Sequence, residues 1–281
     1  MNKSLLVAAA FLCMSGALMA QPKSFGTPQL LIKAGHGLMA PTWSPDGKKI
    51  AITGDNFIGI FVANSDGSDL KQVSDAPGAG YKMTWNDANS IISTPYTMVN
   101  NRRITRIEIV NVKNSNITLV AQPERDFKPS KALRHVSAAL QIMLDQPMNA
   151  TTLIPSLNNF AGKMVLNPVL SPDGKRIAFQ IVGKGLFVCD ADGNNVVSLG
   201  KGSHPSWMPD NVNVMVTRIE DNGDVFTKSD IYCVNTVTGD AINITPNTQA
   251  IPVTIAVSPD GSKVAFDNDT DGCIYVINLK Y

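Results

Sequence analysis

Apolar residues along this chain come in short runs, and polar turn residues cut nearly every run before it reaches helical length. "KKIAITG", "GIFVAN", "KRIAFQI", "LFVCD", "KVAFDN" and "CIYVIN" are typical. They are rich in β-branched and aromatic residues and bounded by Gly, Asp, Asn or Pro. Such runs predict strands joined by tight turns.

The pattern repeats. "SPDGKKIAI" occupies 44–52, "SPDGKRIAF" 171–179 and "SPDGSKVAF" 258–266. The first two copies begin 127 residues apart and the last two 87, which fits one period of about 43 with members missing between. Weaker copies stand at 83–89 ("MTWNDAN") and 205–211 ("PSWMPDN"). A second mark is an apolar run ending in Asn or Asp, at Asn64, Asn111, Asp145, Asp190, Asn235 and Asn278. Six marks imply six units. The third unit, containing "PSKALRHVSAALQIMLD", has lost its SPDG turn.

Each complete unit holds four short strands. Pro pre-sets φ at the second turn position, Asp tolerates the third and Gly closes the fourth, so SPDG suits the hairpin between strands one and two. Asp46, Asp173 and Asp260 are then turn residues and not presented acids. The expected fold is all-β: a single six-bladed β-propeller of four-stranded antiparallel blades. The last unit ends at "IYVINLKY" without a fourth strand. "PQLLIKAG", at about residues 28–33, is expected to supply it and close the ring. Trp43, Trp85 and Trp207 recur at one repeat position, which predicts packing between neighbouring sheets in preference to a sugar platform.

The string P-x-W-S-P-D-G-K-x-I-A-F, followed by an apolar strand and Asx-x-x-Gly, resembles the repeats of TolB-like propellers. Residues 41–67, 168–193 and 255–278 match best. The resemblance implies a periplasmic binding module. It does not reach the additional N-terminal domain of the family's namesake, so that protein's partners do not carry over. Propellers of this kind also serve as oligopeptidase domains and sugar-acid lyases, so the motif speaks for fold more than for function.

The first twenty residues change the picture of location. Lys3, the apolar run "SLLVAAAFLCM" and the small residues of "SGALMA" have the layout of a secretory signal peptide, with cleavage expected after Ala20 or Ala17. Residues 1–20 are read as that signal and 21–281 as the propeller, exported to a bacterial periplasm or secreted. Beyond the signal, no apolar stretch approaches membrane-spanning length. Lys plus Arg number 24 and Asp plus Glu 23, which gives no basic surface for nucleic acid. "NNRRITR" at 100–106 reads as a solvated hairpin end. Cys189, Cys233 and Cys273 sit in apolar runs and read as buried strand thiols.

Candidate chemistry is sparse. No Gly-x-Ser-x-Gly elbow occurs, and His36, His135 and His204 are too few for the histidine-rich metal site of the lyases; no catalytic residue is assigned. His36 and His204 lie in connections leading into a unit's first strand, on the face that carries the loops between strands two and three. Asp221 and Asp224 of "EDNGD" share that face, which is therefore the expected ligand-binding face. "DNDTDG" sets Asp267, Asp269 and Asp271 in the D-x-D-x-D-G order of calcium loops. Tyr275 and Asn278 stand where the ninth and twelfth ligands belong, so calcium competes with a solvated turn and no other cofactor is expected. These readings converge on a monomeric, non-enzymatic scaffold for a protein or peptide partner in the cell envelope. A carbohydrate-binding or carbohydrate-cleaving propeller is the alternative.

Overall fold

A computed structural model describes residues 21–35, 37–121 and 137–281. The signal-peptide expectation, His36 and His135 lie outside these residues.

The described chain is a β-propeller of antiparallel four-stranded blades. Blade I comprises Leu38–Trp43, Lys49–Gly54, Ile60–Asn64 and Lys71–Ser74. Blade II comprises Thr84–Asp87, Ser90–Ser93, Ile107–Asn111 and Ile117–Ala121. Blade III holds Val165–Leu170, Arg176–Ile181, Gly185–Asp190 and Val197–Gly200. Blade IV holds Ser203–Trp207, Asn213–Asp221, Phe226–Asn235 and Ala241–Asn243. Blade V is built from Pro252–Val257, Lys263–Asn268 and Cys273–Lys280, and Gln29–Ile32 pairs antiparallel with the last of these. Leu30 stands opposite Tyr275, and Ser24–Phe25 continues the pairing against Leu279 and Lys280. First strands pack side by side in the order II, I, V, IV, III.

Five blades, not six, are present among the described residues. The expected third blade is replaced, where described, by helices. "QIMLD" is not a strand but the end of α1, Ala138–Asp145. The reason is local. Ser137 Oγ accepts a hydrogen bond from Leu140 N at 3.2 Å, capping a run of Ala, Leu, Gln and Met, all good helix formers. Ala139, Leu140 and Met143 are buried on one side of α1, packed with Ile177, Phe179 and Phe187 of blade III. Ala150–Leu153 and the 3-10 turn Pro155–Phe160 follow, and Ile154 and Leu157 join the same cluster. Five residues of "QIMLD" alone cannot distinguish a strand from a helix end; the preceding "SAAL" decides it.

The SPDG turns are the same in all three copies. Gly47, Gly174 and Gly261 have φ of 67°, 73° and 72°, and their N–H groups bond Ser44, Ser171 and Ser258 carbonyls. Each Ser Oγ donates to the Asp two residues on, at 2.7, 2.6 and 2.6 Å, and accepts the N–H that opens strand two. Each Asp Oδ1 also accepts the backbone N–H of Lys48, Lys175 or Ser262. Asp46, Asp173 and Asp260 are therefore turn clamps, held below the usual carboxylate range first by their serine partners.

The tryptophans lock neighbouring blades. Trp43 Nε1 donates to Ala256 O, Trp85 Nε1 to Thr42 O and Trp207 Nε1 to Val169 O, each on the preceding blade's first strand. Cys189, Cys233 and Cys273 are buried and free; burial pushes the first two thiols up to about 12.

Candidate functional site

The first strands carry the site's scaffold. Three residues before the Trp position, the backbone enters the left-handed region at Ala40 (φ 52°), Lys82 (φ 53°), Asn167 (φ 49°) and His204 (φ 48°). The pairing register with strand two shifts there in blades I, III and IV. Blade V shifts between Pro252 and Ile255 without a positive φ. A bulge of this kind frees one backbone N–H from the ladder, and that group needs another acceptor.

The acceptor comes from the preceding blade. Gln180, on strand two of blade III, takes the His204 N–H through Oε1 at 3.2 Å and binds Asn167 Nδ2 at 2.8 Å. Asp267, at the same place in blade V, takes the Ala40 N–H through Oδ2 at 3.1 Å. Thr217, the blade IV equivalent, donates to Val253 O at 3.2 Å. Thr53 completes the series by packing so closely on Gly80 that a Cβ there would lie 2.0 Å from its Oγ1. One polar position on strand two thus touches the following blade at four junctions, and at two of them, Gln180 to His204 and Asp267 to Ala40, it accepts the N–H freed by the bulge.

This accounts for Asp267 without a metal. Its carboxylate, 5% exposed, also accepts from Thr254 N at 2.6 Å and Thr254 Oγ1 at 2.8 Å. Burial raises its pKa although these donors pull the other way. Asp271 is engaged elsewhere, accepting from Asn268 Nδ2, Cys273 N and the Tyr275 hydroxyl. The exposed Asp269 is placed by its own N–H, which donates to Ile251 O. The three carboxylates do not converge, and no cluster of three His, Cys, Asp or Glu fit for a metal occurs among the described residues.

His204 lies within strand Ser203–Trp207 and not in the connection before it. Its Nδ1 is buried with no hydrogen-bond partner among the described residues, and burial lowers the imidazole pKa. Asp221 and Asp224 sit at the exposed tip of the blade IV hairpin, where Asp221 Oδ1 accepts from Gly223 N. No hydrogen bond or ion pair joins His204 to either acid or to Asp267 among the described residues.

Two hairpins project beyond the blade ladders, at "NNRRITR" as expected and at "EDNGD". In blade II, strands two and three are separated by a further two-stranded sheet, Tyr96–Val99 with Arg102–Thr105. In blade IV, strands two and three run on through Arg218 opposite Asp230 and Glu220 opposite Lys228. Both leave from the connection between strands two and three, and so from one face. The blade II hairpin exposes Met98 (57%), Val99 (51%) and Ile104 (45%) beside Arg102 and Arg103, the latter lying 4.6 Å over the Tyr96 ring. No acid occurs between Asp87 and Glu108. Tyr81, half exposed in the connection entering blade II, stacks edge-on against Phe57 of blade I at 5.1 Å and carries Lys82 over its ring. The signal for the hairpin was the polar "NNRRITR" between two apolar runs; its isolation from the blade ladder could not be read from it.

No protein-family model and no curated protein matches the sequence. Among solved structures the fold is similar to TolB-like and oligogalacturonate lyase propellers. TolB from Acinetobacter baumannii is 14% identical over 87% of this chain and 55% of its own, with a TM-score of 0.39. The chain thus spans little more than half the length of that protein. Oligogalacturonate lyase from Vibrio parahaemolyticus is 12% identical over 91% of this chain and 96% of its own, TM-score 0.47. A putative TolB from Agrobacterium tumefaciens is 14% identical over 88% and 92%, TM-score 0.35. At these identities the likeness concerns the fold.

Proposed function

We propose that the chain is an exported, monomeric, non-enzymatic TolB-like propeller that binds a protein or peptide of the cell envelope. The binding face is the one bearing the projecting hairpins. Export rests on the signal-like first twenty residues, and ring closure on the pairing of Gln29–Ile32 with Cys273–Lys280.

The observation that carries the reading is the blade II surface. It exposes Tyr81, Met98 and Ile104 beside Lys82, Arg102 and Arg103, with no acid in the hairpin. Apolar side chains exposed together on one hairpin, rimmed by cations, fit an acidic partner with apolar anchors. Retention of one discrete envelope protein by the wild type, lost with Met98→Asp/Ile104→Asp and weakened by Arg102→Glu/Arg103→Glu, is the expected result. A blank pull-down with glycan binding abolished by His204→Ala favours the carbohydrate reading instead.

A further inference from the structure

On the opposite face, where the SPDG turns lie, a cavity of about 320 Å³ opens between blades V and I. Trp43 forms part of its wall, with Pro45, Asp46, Pro259, Asp260 and Lys263 around it. The chain shows what such a place accepts. At the junction of blades III and IV, Arg176 lays its guanidinium 5.1 Å from the centroid of the Trp207 ring. It donates there to Thr236 Oγ1 at 2.8 Å and to Asn211 O of blade IV.

Lys263 occupies the position of Arg176 in its own repeat, five residues after the turn serine. Its ammonium stands 6.0 Å from the Trp43 ring centroid and makes no hydrogen bond or ion pair among the described residues. A compact ammonium has no planar fork to lie on the indole while bonding outward, so Lys263 covers Trp43, 7% exposed like Trp207, without making the outward bonds that Arg176 makes at its junction. Among the described residues Asp46 and Asp260 also have no ion pair, whereas Asp173 has Lys175 at 4.0 Å. Asp46 receives its hydrogen bonds among the described residues on Oδ1 alone, whereas Asp260 Oδ2 accepts from Ser262 Oγ at 2.8 Å and keeps one lone pair for a further donor.

We infer that the cavity between Trp43, Asp46 and Asp260 is a recognition site for a guanidinium, supplied by an exposed arginine of a protein partner. The guanidinium takes the place of the Lys263 ammonium over Trp43, lying there as Arg176 lies on Trp207, and its outward N–H groups meet the two carboxylates. The serine and backbone donors that hold Asp46 and Asp260 ionised keep both available as acceptors down to mildly acidic pH.

The probes are the capped tripeptides Gly-Arg-Gly and Gly-Lys-Gly and free arginine, titrated into the full chain by calorimetry while the Trp43 indole N–H resonance is followed. The arginine peptide is expected to bind saturably and shift that resonance, with the lysine peptide at least about tenfold weaker. Asp46→Asn/Asp260→Asn is expected to weaken the arginine peptide by about tenfold or more. Lys263→Arg tests the template directly: it fills the slot from within and abolishes peptide binding with the fold intact. Equal binding of the two peptides, or undiminished binding by a folded Lys263→Arg protein, overturns the inference. Tighter binding of free arginine than of the peptide overturns the assignment to a protein partner. If the double variant does not fold, Lys263→Arg decides alone.

Discussion

The indole Nε1 of Trp43 donates a 3.0 Å hydrogen bond to the carbonyl of Ala256, more than two hundred residues away in sequence and one blade back in the ring. Trp85 and Trp207 repeat the bond at two other junctions, so the Trp position of the repeat is an inter-blade clasp. With the strand-two side chains that bond across the junctions, these clasps add direction to apolar contact, which slides more easily than a hydrogen bond. Trp43 joins Ile50, Ile52, Ala265 and Ile274 in one buried cluster spanning blades I and V. Trp43→Phe keeps most of that apolar surface but leaves Ala256 O without its indole donor. The expected cost is about 1–3 kcal/mol in chemical denaturation. A midpoint equal to wild type would show that the bond is not a clasp.

The turns give a contrasting pair. Asp173 is partly exposed and its Oδ1 accepts from Ser171 Oγ and Lys175 N, so Asp173→Asn keeps an acceptor and is expected to cost no more than about 1 kcal/mol. Ser171 is 3% exposed and its Oγ accepts the Arg176 N–H at 2.9 Å. Ser171→Ala strands that donor and is expected to cost about 1–3 kcal/mol. Thermal melts that rank Asp173→Asn as the more damaging change contradict this division of roles. Neither substitution alters binding on the opposite face.

Much of the fold was legible because SPDG and the Trp three residues before its Asp carry their geometry locally. Four residues specify the turn, and a large aromatic one position ahead of it can only pack at a sheet junction. The helical segment was not legible from "QIMLD", since five apolar residues serve either period; the cap at Ser137 lies eight residues before its end. The site was harder. Asp267 reads as a calcium ligand by spacing, yet its carboxylate turns back to Ala40 and Thr254. Those partners sit on bulges that no local string announces, and the nearer lies thirteen residues away.

That helical segment supports its own test. Met143 is 1% exposed in the cluster that joins α1 to blade III, and Ser137 caps the same helix. Met143→Ala removes buried volume at a site fixed by sheet on one side, with an expected loss of about 2–5 kcal/mol. Ser137→Ala costs about 1 kcal/mol by uncapping. Were the segment a strand in solution, Ser137→Ala would leave the denaturation midpoint where it was.

His204 gives the chain a pH dependence with a definite sign. Burial holds its folded pKa below 6.5, and among the described residues Nδ1 has no acceptor to stabilise a proton there. As pH falls below 6.5, the unfolded state takes the proton first, so stability present above that pH is lost on the way down to the folded pKa. Each pH unit inside that window removes up to about 1.4 kcal/mol. Asp267 acts in the other direction: its raised pKa makes the folded state hold a proton more tightly, so its contribution grows as pH falls towards 3.8. The difference between wild type and a His204 variant isolates the imidazole. Asn is the residue to use, because the φ of 48° suits it better than most replacements. Denaturation midpoints measured from pH 7.5 down to 5 are expected to fall faster for wild type than for His204→Asn, with parallel curves above about pH 8. Curves that stay parallel throughout the acid range would mean that His204 finds a proton acceptor in the folded protein.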